Sequence, residues 1–148
     1  DASVLGMEVS NGTGDLFVIT EYGFGKRTPV ADYPEQNRGG QGVFTIQMTD
    51  RKGQLAAMKN VGSQHELFIV TEGATVIRVK TDEISQTGRA TQGVKMMTVA
   101  DGDRVTAVAR MESSAEKSEV SAEAKEKPEE ASADDNDGEE TAGDLAGE

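Results

Sequence analysis

The sequence predicts an all-β fold of tandem four-stranded blades. Three observations carry that expectation: a repeat at an offset of 51 residues, short segments rich in Val, Ile, Phe and Thr set between turns, and no helical periodicity along the repeated part. Asp15-Leu16-Phe17-Val18-Ile19-Thr20-Glu21 is matched without a gap by Glu66-Leu67-Phe68-Ile69-Val70-Thr71-Glu72. Arg38-Gly39-Gly40-Gln41-Gly42-Val43 is matched in the same register by Arg89-Ala90-Thr91-Gln92-Gly93-Val94. Beyond Val94 one residue is lost, and Gln54–Met58 then aligns with Arg104–Val108.

Each unit holds four β-type segments bounded by Gly, Asp and Asn. In the first unit they lie near Leu16–Thr20, Lys26–Val30, Gly42–Thr49 and Gln54–Val61; in the second, near Leu67–Thr71, Thr75–Lys80, Gly93–Val99 and Arg104–Arg110. Phe44, Ile46 and Met48 alternate with Thr45, Gln47 and Thr49, as a half-buried strand requires. A four-stranded unit of this length has the size of a propeller blade and buries its apolar face only against neighbours. Two such blades form part of a ring and do not close one.

Composition divides the chain near Met111. Residues Glu112 to Glu148 contain 14 acidic and 3 basic residues, a net charge of −11, whereas the first 111 residues carry only −1. The tail has too little apolar surface to offset its chain entropy and is expected to be disordered. The overall charge of −12 would argue against a nucleic-acid partner only if it were spread evenly. The expected organisation is the end of a preceding blade at 1–14, a blade at 15–65, a terminal blade at 66–111 and an acidic tail at 112–148. From the start at Asp1 without Met, running directly into strand-like Val4–Val9, the chain is expected to be a fragment.

The absence of cysteine excludes disulfide frameworks and thiolate metal sites and agrees with a reducing cytoplasm. The longest apolar runs, such as Leu16–Ile19, fall far short of the roughly 18 residues that span a bilayer, so no membrane partner is expected.

Tyr22-Gly23-Phe24-Gly25-Lys26-Arg27-Thr28, followed by Arg38-Gly39-Gly40-Gln41-Gly42-Val43, resembles the repeats of the DNA gyrase A C-terminal domain. In that family an apolar strand is followed by a G-x-G-K-R-T-like turn and then an R-G-G-x-G-like segment. The first unit has every part. The second keeps Leu67–Glu72, Arg89 and Gln92–Val94 but lacks the Gly-Phe-Gly-Lys turn, as a degenerate terminal repeat would. The resemblance covers Val4 to about Met111.

It implies a β-pinwheel, a propeller-like ring of about six blades, whose basic rim wraps double-stranded DNA through the phosphate backbone in support of negative supercoiling. It also implies a non-catalytic segment, joined to the rest of gyrase A and to gyrase B in an A2B2 complex. ATP and Mg belong to that parent complex, and no cofactor is expected in this segment. Tyr22 and Tyr33 do not match the context of the family's cleavage tyrosine. Asn37–Gly42 echoes the family's wrapping box, Q-[RK]-R-G-G-[RK]-G, without its leading pair and its second basic residue. The corresponding domain of the topoisomerase IV A protein is the near alternative, and a protein-binding propeller module the distant one.

Arg27 and Arg78 correspond at the 51-residue offset, as do Arg38 and Arg89, with Lys26, Lys80 and Lys95 beside them. Such a cationic stripe can follow a duplex through its phosphates without reading bases. The bland reading is solvated charge that protects strand edges. Gly23–Lys26 lacks the first Gly and the Ser or Thr of a phosphate-binding loop, so it reads as a strand-joining turn. His65, the single histidine, reads as a solvated loop residue, and Met48, Met96 and Met97 as core filler. The acidic tail either competes with DNA for the rim or only solubilises the chain.

Overall fold

A computed structural model of the protein describes residues 3–113. It is all-β, with two antiparallel sheets built on one plan. In the first sheet β1 (Asp15–Thr20) is flanked by β2 (Phe24–Pro29) and β3 (Leu55–Val61). In the second, β4 (His65–Thr71) is flanked by β5 (Val76–Lys80) and β7 (Val105–Glu112). β1 and β4 are the most apolar strands of their sheets: Phe17, Val18 and Ile19 in one, and Leu67 and Ile69 in the other, have no exposed surface, and Phe68 and Val70 on the opposite face of β4 are half-buried.

The repeat holds to fine detail. Phe17 lies opposite Arg27, and Phe68 opposite Arg78. Each central strand has a register shift at its last residue, between Ile19 and Thr20 and between Val70 and Thr71. Short 3-10 turns follow β2 and β5 at Val30–Asp32 and Thr81–Glu83. Phe17, Ile19, Val61, Leu67, Ile69, Ile84, Met97, Val105 and Val108 form one cluster drawn from both sheets. Each of these larger side chains stabilises the fold by about 1.5–3 kcal/mol through burial, so neither unit holds its own core apart from the other.

Strand membership differs from expectation in the third segment of each unit. Gly93–Val99 shrinks to a two-residue strand, β6 (Val94–Lys95), and this strand joins the first sheet, giving the order β3-β1-β2-β6. The second sheet keeps three strands, β5-β4-β7. Gly42–Thr49 forms no strand: Phe44 is 86% exposed and Met48 45%, while Ile46 alone of the alternating set is buried. The physical reason is pairing, because a β-type segment becomes a strand only when a partner satisfies its backbone. Residues 93–97 find that partner in β2 and the adjoining Gly23, whereas 42–49, among the described residues, make one backbone hydrogen bond to another segment, Gln47 N–H to Thr91 O at 3.0 Å, and no ladder. Val4–Val9 likewise forms no strand, although Glu8 reaches Lys59 Nζ at 2.8 Å.

The exchanged segment is held along much of its length. The Arg27 N–H donates to Ser85 O (3.1 Å) and the Thr87 N–H to Arg27 O (2.9 Å). The Thr28 hydroxyl donates to Thr87 O (2.8 Å) and the Met96 N–H to Gly23 O (2.8 Å). Gly25 is required here, since a Cβ on it would overlap Met96 Sδ and sit 3.0 Å from Val18 O. Gly23, at φ 82°, makes the expected turn between β1 and β2.

Met97 is core as expected and Met96 packs against it, whereas Met48 is surface. His65 opens β4, half-buried, and its Nδ1 accepts the Gly62 N–H at 2.7 Å. It is thus a turn-closing acceptor and not a loop residue. The acidic run from residue 114 onward lies outside the described residues.

Candidate nucleic-acid interface

A phosphate-binding surface needs cations that are exposed and not already neutralised. The side chains singled out in the sequence divide sharply on that criterion. Lys26 has no exposed surface. Its ammonium donates to Gly88 O (2.7 Å), Arg89 O (2.7 Å) and Thr91 Oγ1 (3.1 Å). Burial lowers its pKa below the usual lysine range. All three ammonium hydrogens are used to fasten the exchanged loop, and no phosphate reaches them while that loop is in place.

Arg27 is also turned inward. Its Nε donates to Ile84 O and its NH1 to Asp15 Oδ2, both at 2.8 Å, and its side chain is 18% exposed. Gln86 Nε2 completes the group on the Asp15 carboxylate at 3.0 and 3.1 Å. Arg78 repeats the arrangement one unit later. It binds Glu66 in a two-point fork, Nε to Oε2 and NH2 to Oε1, both at 2.7 Å. The hydrogen bond from Arg78 holds the Glu66 carboxyl below its usual range, and Glu66 raises Arg78 in turn.

Asp15 and Glu66 are themselves related by 51 residues, like Arg27 and Arg78. In each sheet the acid and the arginine are diagonal cross-strand neighbours on one face, close enough to pair. The repetition of these arginines is therefore accounted for inside each sheet. Arg78 still leaves half of its side chain open to solvent, at 53%.

Arg89 is half-buried, with its guanidinium carbon 5.8 Å from the Tyr33 ring centroid and NH1 3.4 Å from Phe44 O. Arg38, Lys80 and Lys95 are exposed and form no ion pair with a described residue.

The repeat alone does not point to a further group. Arg51 and Lys95 line one groove of about 450 Å³ together with Tyr22, Phe24, Asp101 and Asp103. Lys52 stands 5.1 Å from the Phe24 ring centroid and donates to Gln92 Oε1 (2.7 Å) and Gln92 O (3.1 Å). Asp103 is tied into its own turn: hydrogen bonds from Thr71 and the Gly73 N–H keep its pKa low. The signal that could have found this group is the basic pair in Asp50-Arg51-Lys52-Gly53, which has no counterpart in Ala100-Asp101-Gly102-Asp103.

The groove sets two cations beside two carboxylates and exposed aromatic surface, and among the described residues no cluster of three His, Cys, Asp or Glu is placed to hold a metal ion. Among the described residues no helix is long and apolar enough to cross a membrane.

Two antiparallel sheets repeated at a fixed offset and laced by an exchanged segment define a propeller-like repeat module. The family model described as "DNA gyrase C-terminal domain, beta-propeller" matches residues 14–61 and 65–110, and the chain belongs to that family. The DNA gyrase A protein of Staphylococcus epidermidis is 40% identical over 111 residues, covering 74% of this chain and 12% of that protein. Its Staphylococcus aureus counterpart is 41% identical over 115 residues, 76% of this chain and 13% of that one. The chain thus spans about an eighth of the length of these relatives.

Among solved structures, the gyrase A C-terminal domain superposes with a TM-score of 0.64 at 20% identity, covering 68% of this chain and 34% of its own. The C-terminal domain of DNA topoisomerase IV gives 0.65 at 16% identity, covering 80% and 38%. At those identities the two structures speak to the fold.

Proposed function

We propose that this segment binds double-stranded DNA through the phosphate backbone, as part of the DNA-wrapping C-terminal domain of a gyrase A protein. It would act with the rest of gyrase A and gyrase B in an A2B2 assembly that introduces negative supercoils, the ATP and Mg chemistry lying outside this segment. The observation that carries the reading is the groove shared by Arg51 and Lys95, in a chain whose family is that of the gyrase C-terminal domain. Arg38 and Lys80 add exposed positive charge, while Lys26 and Arg27 support the fold. The net −11 of residues 112–148 opposes binding, most strongly at low salt where screening is weakest.

Gyrase is favoured over topoisomerase IV by the relatives at 40–41% identity. A salt titration of duplex affinity tests the proposal. Replacing Arg38, Arg51, Lys80 and Lys95 with Gln should weaken binding to unrelated sequences alike and flatten the slope of log K against log salt by up to about 4 units. An unchanged slope would remove these residues from the interface.

A further inference from the structure

The groove that Arg51 and Lys95 share holds more than a phosphate needs. Two further kinds of side chain line it, the aromatic rings of Tyr22 and Phe24 and the carboxylates of Asp101 and Asp103. A carboxylate repels phosphate and weakens a site built for the backbone alone. It does, however, accept hydrogen bonds from the N–H groups on the edge of a nucleobase, and an aromatic ring stacks on the face of one. Cation, ring and carboxylate thus match the phosphate, the base face and the base edge of a strand whose base is unpaired.

The geometry brings these groups together from three places. Lys95 lies directly opposite Phe24 in the β2–β6 ladder. The Tyr22 N–H donates to Lys52 O at 3.3 Å, so the turn that carries the tyrosine is bonded to the turn that carries Arg51. Gly53, at φ 72°, lets that second turn pack against the ring, since a Cβ there would stand 3.1 Å from Tyr22 Cδ2. Phe24 already carries the Lys52 ammonium, 5.1 Å from its ring centroid, whereas Tyr22 is 46% exposed. The two acids divide in the same way. Asp103 Oδ1 accepts the N–H groups of Gly73 and Arg104, both at 2.8 Å. Asp101 is exposed and forms no ion pair with a described residue, which leaves it as the acceptor for a base edge.

The second unit has neither ring. At the offset of 51, Tyr22 is matched by Gly73 and Phe24 by Thr75, just as Gly25, Lys26 and Thr28 are matched by Val76, Ile77 and Val79.

We propose that this groove holds an unpaired nucleotide of a DNA strand, its base stacked on Tyr22 and hydrogen-bonded to Asp101, with the flanking phosphates on Arg51 and Lys95. This rests on the reading of Arg51 and Lys95 as phosphate contacts, and it names the strand that fills their groove. Intact duplex engages the same cations through its backbone but keeps its bases in the stack, out of reach of Tyr22.

The test is a salt titration by fluorescence anisotropy with the full chain and three labelled DNAs: a single strand, the same strand made duplex, and the same strand with abasic sites. The unsubstituted chain should bind the single strand more tightly than the abasic one. Tyr22→Ala should weaken single-strand binding between about fivefold and about a hundredfold, the usual effect of losing a base–aromatic stack. It should leave the abasic and duplex affinities and every salt slope unchanged, and Tyr22→Phe should keep the single-strand affinity because stacking needs the ring and not the hydroxyl. Asp101→Asn should lower the ratio of single-strand to abasic affinity. Equal affinity for the base-carrying and abasic strands overturns the proposal, as does a folded Tyr22→Ala that keeps its single-strand affinity, a loss shared by Tyr22→Phe, or an unchanged ratio in Asp101→Asn. Should Tyr22→Ala not fold, the abasic comparison on the unsubstituted chain decides alone. Arg51→Gln with Lys95→Gln separates the two readings. A duplex salt slope that this pair leaves unchanged removes the phosphate contacts and the proposal with them, whereas a slope that falls on all three DNAs without any dependence on Tyr22 removes the base alone.

Discussion

β2 and β5 occupy equivalent places in their sheets and pair with equivalent central strands, yet one is an interior strand and the other an edge. β2 has partners on both sides, β1 and the exchanged segment. β5 has only β4. Three side chains account for the contrast: the glycine, lysine and threonine of β2 admit and fasten a neighbour, and their replacements in β5 do not. What the two strands share is Arg27 and Arg78, each paired with the acid on the strand beside it. In this molecule identity across the repeat marks what builds a blade, whereas difference marks how blades join and which surfaces are left for partners.

The sharpest break of that comparison is an exchange at one position. Gly25→Val should be the most damaging single change, costing about 1–3 kcal/mol or more through overpacking against Met96 and Val18. Val76→Gly should cost no more than about 1 kcal/mol as an ordinary glycine penalty in a strand. Urea denaturation of both variants measures the difference, and equal costs would mean that the two strands are not functionally distinct.

Lys26→Met should come next. It retains the apolar stem but leaves Gly88 O, Arg89 O and Thr91 Oγ1 without their shared donor, an expected loss of about 1–3 kcal/mol. Ile77→Met should be silent within about 0.5 kcal/mol, since that residue is half-buried and makes no such bond. The same denaturation series reads both.

The smallest expected effect concerns acid. Glu66 is held below its usual pKa by Arg78. A carboxyl with a depressed folded-state pKa contributes stability that is full above its unfolded value, about 4.3, and that is lost as pH falls through the folded value. Denaturation midpoints should therefore fall between about pH 5 and pH 3, and Glu66→Gln should flatten that fall. A variant whose acid dependence equals that of the unsubstituted chain would show that the fork on Arg78 is not a stabilising feature.

Much of the fold was legible because the chain states it twice. The central strands announce themselves through Phe17–Ile19 and Leu67–Ile69, and the offset of 51 aligns their partners. The exchange of Val94–Lys95 into the first sheet was not legible, because alternation reports which face of a strand is buried and says nothing about which sheet it joins. Phe44, Ile46 and Met48 show the same limit: the pattern is that of a strand, but no ladder forms there among the described residues. For the site, repetition pointed toward Arg27, with Lys26 beside it, and their partners Asp15, Gly88 and Arg89 are distant in sequence or hidden in backbone carbonyls. Arg51 was overlooked because it has no counterpart, which is the property that now distinguishes it.

Arg27 and Arg78 are paired with acids inside their own sheets, whereas Arg51 and Lys95 are proposed as DNA contacts. Salt titration of duplex affinity decides between this division and its reverse, using two double variants of the full chain, Arg27→Gln with Arg78→Gln and Arg51→Gln with Lys95→Gln. The second pair should flatten the slope of log K against log salt by up to about 2 units while leaving thermal stability nearly unchanged. The first should lower stability and, at a temperature where it remains folded, keep the unsubstituted slope. If the slope instead falls with Arg27 and Arg78 and is indifferent to Arg51 and Lys95, the repeated arginines are the DNA contacts and the division of roles is the reverse of the one drawn from the fold.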